Sequence, residues 1–378
     1  MEEKFNETVC ADTLRLLSGN QKLKEVPHCD TLNYYLELLS PDCLSELRKK
    51  MVTSLIRGKQ FYSNRLLGKY WRVILDGTGV ACFEERHCDN CLYEKRTYKD
   101  GRKVTVYYHK VLEAKLILGD KIVVSLGTEF IENERSDVSK QDCETKAAKR
   151  LLERIKKEYP RLPICIQGDA MYATEPMMEI CRLNGWKYIF SHKEAQQRVL
   201  ADNYNLLSLE DGKQKVQGIG AEKGTAIYCN DIGKMAGKTE TMNVYEYTCK
   251  KIIKKQEKTV HFQWITDIEL TRRNLEEMVR AGRGRWKIEN EGFNNQKNGI
   301  YHIQHLNSRN SNAMKNHYLL TQIADILMQL YLAWNPIIKE IKQSIKNTSS
   351  RLLESFRRQP VTDEDVHYIL RYTTIYLE

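Results

Sequence analysis

Three acidic residues in this 378-residue chain stand where a divalent cation and a phosphodiester could use them. Glu289 lies in Arg285-Trp286-Lys287-Ile288-Glu289-Asn290-Glu291-Gly292-Phe293, a helix-compatible run mixing acid, base and amide around two large apolar residues. At roughly 100° per residue, Trp286 and Phe293 share a face, the expected core side. Glu289 then sits roughly 60° from that stripe and Glu291 roughly 140° away, so Glu289 is the candidate and Glu291 the bystander. Asp76 ends the apolar run Trp71-Arg72-Val73-Ile74-Leu75, and Asp169 follows Pro163-Ile164-Cys165-Ile166-Gln167-Gly168. Short continuous apolar runs read as buried parallel strands. A carboxylate at the end of one is held at the sheet's rim, where α/β sheets keep their sites.

Three carboxylates on two strands and a helix can hold a pair of Mg²⁺ ions, hard cations that take oxygen ligands and keep positions open for water and phosphate. Two such ions about 4 Å apart activate the attacking oxygen and stabilise the leaving one in phosphodiester displacement. Without a cation the three charges repel. Each acid also has a plainer reading. Asp76-Gly77 between apolar stretches is a hairpin-turn signal, and Asp169 is placed to cap a helix starting near Thr174. Glu289 is placed for an exposed i, i+4 pair with Arg285, worth about 0.3–0.5 kcal/mol. Their joint occurrence, in this order, favours one site over three accidents.

The elements that must position these acids divide the chain into four parts. Residues 1–66 read as helical, with apolar positions at helical spacing in Asp30–Leu39 and Cys43–Arg57. The basic stretches Lys49-Lys50 and Arg57-Gly58-Lys59-Gln60 make this part either a DNA-end contact or a helical brace. Residues 67–200 read as three strands, a helix over Asp142–Tyr159, a strand, a helix and a strand. Val104–Leu118 and Lys121–Ile131 form a long hairpin there, and Lys187–Phe190 closes the sheet. Residues 201–270 alternate in Thr225–Asn230, Thr241–Lys250 and Val260–Ile265, which predicts a β-rich insertion. Residues 271–378 hold the Glu289 helix and C-terminal helices, including the apolar Asn312–Leu332. This is the element order of an α/β fold with a ribonuclease-H-like mixed sheet and flanking helices. Polar residues interleave in Asn294, Asn295, Lys297, Asn298, His302, Gln304, His305, Asn307 and Arg309. They suit either a nucleic-acid groove or a hydrogen-bonded loop.

At Asp76, Asp169 and the Glu289 helix the chain resembles the DDE transposases of bacterial insertion sequences. The branch it is similar to carries its last acid in a helix of pattern Tyr-x2-Arg-x3-Glu-x6-Lys, often with Arg-Trp-x-Ile-Glu. Arg285, Trp286, Ile288 and Glu289 match it; the Tyr position falls on Gly282, and the Lys position on Gln296, with Lys297 one step later. The resemblance implies a ribonuclease-H-like core with Asp76, Asp169 and Glu289 as metal-binding catalytic acids, and Mg²⁺ replaceable by Mn²⁺. It also implies cutting of terminal-repeat DNA, joining to target DNA, and a homodimer on DNA. Arg285, Lys297 and Asn294 are the expected DNA contacts, Arg285 through a bidentate hold on phosphate. The alternatives are a transposase-derived DNA-binding protein that no longer cleaves, and a nuclease of the same fold that does not join strands.

Sixty Lys and Arg against fifty Asp and Glu give a formal net charge of +10, which suits a polyanionic partner. No stretch approaches 18 consecutive apolar residues, so no membrane span is expected. The N-terminus, Met1-Glu2-Glu3-Lys4-Phe5, lacks the apolar stretch of a signal peptide. With eleven cysteines this predicts a cytoplasmic, reduced protein. Cys88-Asp89-Asn90-Cys91 is a C-x2-C pair without a second knuckle. Zn²⁺ there would need His87, His109 or Cys82, and a reduced turn between strands is the favoured reading. Neither Gly-x-Ser-x-Gly nor a phosphate-binding Gly-x4-Gly-Lys-Ser/Thr loop occurs, so no serine nucleophile or ATP is implied.

Overall fold

Ten strands form one mixed sheet among the residues that the computed structural model describes: 8–193, 198–210, 212–232, 242–253, 256–305, 308–334 and 344–372. The order is β2 (Leu92–Thr97), β3 (Lys103–Ile117), β1 (Trp71–Phe83), β5 (Ile164–Gly168), β6 (Lys187–Ser191), β10 (Gln256–Thr266), β9 (Asn243–Ile253), β8 (Gly224–Cys229) and β7 (Gln214–Ile219). β4 (Val123–Ile131) also pairs with β3, completing the expected hairpin. β1, β5 and β6 run parallel, and β3 is antiparallel to β1.

Successive strand residues alternate between faces, and β1 shows what each face needs. Val73 and Leu75 join Leu112, Ala114 and Leu116 of β3 in the main core. That face is covered by α4 (Glu144–Glu158), whose buried Ala147, Ala148, Leu151, Leu152 and Ile155 repeat every three or four residues, and by α5 (Glu175–Leu183) through Met177, Met178 and Cys181. Each such side chain contributes about 1.5–3 kcal/mol on full burial. Ile74 points the other way and meets Ile117, Ile288 and Phe293. α9 (Ser311–Trp334) lies against β4 on its way past that region.

The three N-terminal helices are α1 (Thr8–Ser18), α2 (Cys29–Leu38) and α3 (Pro41–Arg57). The second and third pack against α9 and the third also against β4, while the first packs against the helix Ile345–Arg358. The Ser40 hydroxyl accepts the Asp42 N–H at 3.3 Å to cap α3. Asn316 of α9 donates to the carbonyls of Leu36 and Leu39, at 2.8 and 2.7 Å. Arg48 of α3 is buried and donates to Ser125 and Thr128 of β4. Met1–Phe5 lie outside the described residues, and no described helix is long and apolar enough to cross a membrane.

The structure departs from the sequence reading in how the sheet ends. Lys187–Phe190 does not close it, because β10 pairs antiparallel with β6 and β9, β8 and β7 continue outward. The region read as a β-rich insertion is thus continuous with the sheet, entered through α6 (Arg198–Leu206); residues 211, 233–241 and 254–255 of it lie outside the described residues. A further strand, β2, was not expected. Its exposed Glu94, Lys95 and Arg96 give no alternating signal, as suits a charged edge. After β10 come α7 (Leu275–Arg283), α8 (Asn295–Asn298), α9, α10 (Ile345–Arg358) and α11 (Asp363–Tyr372).

Candidate active site

Parallel pairing sets the strands that lead to the two aspartates side by side. The register sets Trp71 against Ile164, Val73 against Ile166 and Ile74 against Gln167. The pairing stops there, with Asp76 two residues beyond Ile74 on β1 and Asp169 two residues beyond Gln167, just past the end of β5. Asp76 is not the last residue of its strand, as the apolar run had suggested, nor part of a hairpin turn. β1 runs on to Phe83, with Asp76 opposite Glu113 and Gly77 opposite Leu112. What ends near Asp76 is the partnership with β5, and this opens the edge of β1 beside the acid. Asp169 caps a single 3₁₀ turn, Ala170–Tyr172, by accepting the Met171 N–H at 2.9 Å, and not the helix that starts after Thr174.

Glu289 arrives on a segment that is not a regular α-helix. A 3₁₀ turn spans Gly284–Trp286, and a π-helical stretch with i→i+5 geometry spans Ile288–Asn294 before α8 resumes. The expected anchor pair is therefore wrong: Phe293 is buried, but Trp286 is 45% exposed. The pair that packs is Ile288 with Phe293, both against Ile74 and Ile117. Five residues apart, they would stand roughly 140° apart on an α-helix; the wider turn brings both to one face, and their burial offsets its poorer geometry. Glu289 is half exposed and accepts from Arg285 at 2.7 Å, the i, i+4 pair foreseen. The side chain of Glu291 lies outside what the structure describes.

The wide turn also adds a residue before the basic position. Gln296 turns inward, fully buried, donating to Asp325 at 2.7 Å and Gln322 at 3.0 Å. Lys297 instead faces Asp76: burial pulls its ammonium down from the usual lysine range while the Asp76 charge holds it up.

Burial pushes the Asp76 carboxyl up to about 6; Arg285 opposes the rise, and the charges of Glu144 and Glu289 add to it. Glu144 is a fourth acid that sequence reasoning missed. It is buried, ion-paired with Lys110, and accepts the Tyr172 hydroxyl at 2.5 Å. Burial, then the charges of Glu144, Asp76 and Asp169, push that hydroxyl up, so Tyr172 lies among all three acids. A methyl group on Gly77 would sit 2.2 Å from a Glu144 oxygen, so a side chain there would displace the Glu144 carboxylate. The signal for Glu144 was present: it is in phase with Ala148, Leu151 and Ile155 on the buried stripe of α4.

These acids do not form a closed trio of ligands. Among the described residues, the groups of three potential ligand atoms mutually within 4.8 Å include His87 with Cys88 and His109, and His28 with Cys29 and Asp30, but not these acids. Glu289 is turned to Arg285 instead. The donors nonetheless fit a hard cation: they are all carboxylate oxygens, and the raised Asp76 carboxyl marks desolvated, crowded negative charge that a cation would relieve.

Of the expected DNA contacts, Arg285 and Lys297 border the acids. Asn294 is exposed and accepts from Asn298 at 2.6 Å. His302, Gln304, His305 and Arg309 are exposed beyond it, while Asn307 lies outside the described residues. A separate cavity of about 240 Å³, lined by Arg65, Arg72, Arg280 and Lys287 with Asp120 and Glu277, surrounds Arg72. Arg72 precedes Asp76 by four residues of β1, roughly 13 Å, so this cavity is behind the acids.

A mixed α/β sheet of ribonuclease-H-like order, flanked by helices and carrying acids where its parallel strands part, is the architecture of a DNA-processing transposase core. Residues 67–325, more than half of the chain, match the transposase DDE domain family, and the chain belongs to it. No curated protein matches the chain. Membership implies DNA as the partner.

Proposed function

We propose that the protein is a metal-dependent transposase that cuts DNA at the ends of an insertion sequence and joins the freed ends to a target. Asp76, Asp169 and Glu289 are the residues that would hold the cations. Mg²⁺, or Mn²⁺ in its place, would supply activation of the attacking oxygen and neutralisation of the leaving one.

The side chains supply the positioning on which phosphoryl transfer depends. Arg285, released from Glu289, holds the non-bridging oxygens of the scissile phosphate through its planar fork. Lys297 adds a point charge beside Asp76, and Asn294 contacts the flanking strand. Water first attacks the phosphodiester at the element's end, leaving a 3′-OH; that hydroxyl then attacks a target phosphodiester. Tyr172 and Lys110 fix Glu144, whose charge adds to the crowding of negative charge at Asp76 that a cation would relieve. Two ends must be held together for joining, which calls for a dimer on DNA.

The observation that carries this reading is that neighbouring parallel strands lead to Asp76 and to Asp169 just past the end of β5, with both acids acting on the Tyr172 hydroxyl and Glu289 within reach of the Asp76 charge. The test is cleavage of DNA bearing the element's own termini, in Mg²⁺ or Mn²⁺, by the natural protein and by Asp76→Asn, Asp169→Asn and Glu289→Gln. Loss of cleavage in all three with DNA binding kept is the expected result. Binding without cleavage by the natural protein would mean a retired transposase, and cleavage without joining a nuclease.

A further inference from the structure

The connection from β1 to β2 gathers four donors of a kind the acid site lacks. Cys88 and Cys91 flank a two-residue turn, and their sulfurs lie 3.6 Å apart. His109 enters from β3, opposite Ala81, and its Nε2 lies 3.4 Å from each sulfur. His87 brings a ring nitrogen within 4.8 Å of the Cys88 and His109 donors. Its ring stacks on Phe83, with centroids 4.4 Å apart, and stands edge-on to His109. Its Nδ1 is buried without a hydrogen-bond partner.

The S···S spacing and the two S···N spacings to His109 match three edges of a tetrahedron, and His87 supplies the nearby fourth donor. Zn–S bonds of about 2.3 Å and Zn–N bonds of about 2.0–2.1 Å imply S···S edges of about 3.8 Å and S···N edges of about 3.5 Å. A disulfide would need its sulfurs about 2.05 Å apart. The turn is also braced as a metal knuckle must be. The Cys88 N–H donates to the Cys91 sulfur at 3.3 Å, Asn133 donates to the Cys91 carbonyl at 2.9 Å, and Asn90 donates to the Asn133 carbonyl at 2.9 Å. The other donor group, His28 with Cys29 and Asp30, is fully exposed, and His28 Nδ1 already accepts the Asp30 N–H as a helix cap.

We propose that His87, Cys88, Cys91 and His109 form a structural Zn²⁺ site. Four protein ligands leave no open position, so the ion would be structural and separate from the carboxylate-bound ions of the active site. It would tie the β1–β2 connection to β3 beside the bulge that shifts the β1–β3 register between Gly79 and Ala81. The next residue after His109 is Lys110, the partner of Glu144 beside Asp76. The knuckle would therefore fix the strand that steadies the acids, although it touches none of them.

The test uses the full chain. Elemental analysis after gel filtration should give about one zinc per chain, and Co²⁺ exchanged into the site should show thiolate charge-transfer and tetrahedral d–d absorption. Cys88→Ser and Cys91→Ser should lose the metal, whereas Cys29→Ser should keep it. Should the Cys88 and Cys91 variants fail to fold, alkylation of the natural protein followed by peptide mapping decides. Cys88 and Cys91 should be protected until a chelator is added, while Cys29 is labelled throughout. Metal-free protein, metal retained in the Cys88→Ser and Cys91→Ser variants, labelling indifferent to chelator, or a Cys88–Cys91 disulfide would each overturn the proposal.

Discussion

Gln296 and Lys297 are neighbours in sequence with opposite tasks in the structure, so replacing each by alanine should damage different properties. Gln296 is fully buried and donates to Asp325 and Gln322 while accepting from Gln322 at 3.2 Å. Its truncation removes a hydrogen bond to a buried carboxylate, worth about 1.5–3 kcal/mol, and leaves Asp325 with Gln329 as its remaining side-chain donor. The amide network around Lys115 and Gln322 loses a member as well. Taken together, Gln296→Ala should cost about 3 kcal/mol. At roughly 2 °C per kcal/mol for a chain of this size, the melting temperature should fall by about 6 °C. Lys297 is partly exposed and faces Asp76, so Lys297→Ala should leave the melting temperature within about 1 °C. Its loss should instead lower cleavage by ten-fold or more, about 1.4 kcal/mol of barrier.

The assay pairs thermal unfolding with single-turnover cleavage at equal folded fraction. Stability lost in Lys297→Ala and kept in Gln296→Ala would refute the π-helical phase, and with it the placement of Lys297 beside the acids.

Three further outcomes follow from other contacts. A Cβ on Gly282 would lie 2.6 Å from the Trp264 ring, which is stacked on Tyr245 and Phe262, so Gly282→Ala should cost about 1–3 kcal/mol in urea denaturation; an unchanged midpoint would rule out the close approach. Tyr172→Phe keeps the ring but strips buried Glu144 of its hydroxyl donor, so it should lose about 1.5–3 kcal/mol of stability and slow cleavage. Equal stability would show that the contact is idle. The Arg283 fork beside Glu222 holds that carboxyl at about 2, against an ordinary 4.5. A depressed carboxyl stabilises the fold above its unfolded value and loses that contribution as pH falls through the folded one. The midpoint gap between natural protein and Glu222→Gln, about 1 kcal/mol at pH 7, should thus shrink by about pH 3. A gap unchanged at the lower pH would contradict the pairing.

Local pattern made much of this fold legible. β1, the β3–β4 hairpin, α4 and α9 each carry a periodicity strong enough to read directly, and the strands that bear Asp76 and Asp169 came with them. What could not be read depends on contacts far apart in sequence. β10 lies beside β6 although some 65 residues separate them, and nothing local to Lys187–Phe190 announces a further neighbour. The π-helical stretch is set by Ile74 and Ile117, on strands remote from Glu289, and a uniform 100° phase misassigned Trp286 for that reason. Glu144 escaped notice because one acid on an apolar stripe resembles an ordinary helix start. The Cys88 and Cys91 pair was read as a turn with His87, His109 or Cys82 as the further donors zinc would need, and only the pairing of β3 with β1 and β2 shows that His109 lies against both sulfurs.

The chain departs at two positions from the Tyr-x2-Arg-x3-Glu-x6-Lys pattern it resembles, and the packing gives each a local cause. Where the pattern has a tyrosine, Gly282 leaves room for Trp264, whose ring fills the space a larger residue would need. A change from tyrosine to glycine alone would open a cavity; here the aromatic mass comes from β10. Where the pattern has a lysine, the chain has Gln296, but the π-helical stretch inserts one residue between Glu289 and that point and turns Lys297 toward Asp76. The burial of Ile288 and Phe293 explains why the turn is stable, and the same stretch leaves Arg285, Glu289 and Lys297 within electrostatic reach of Asp76.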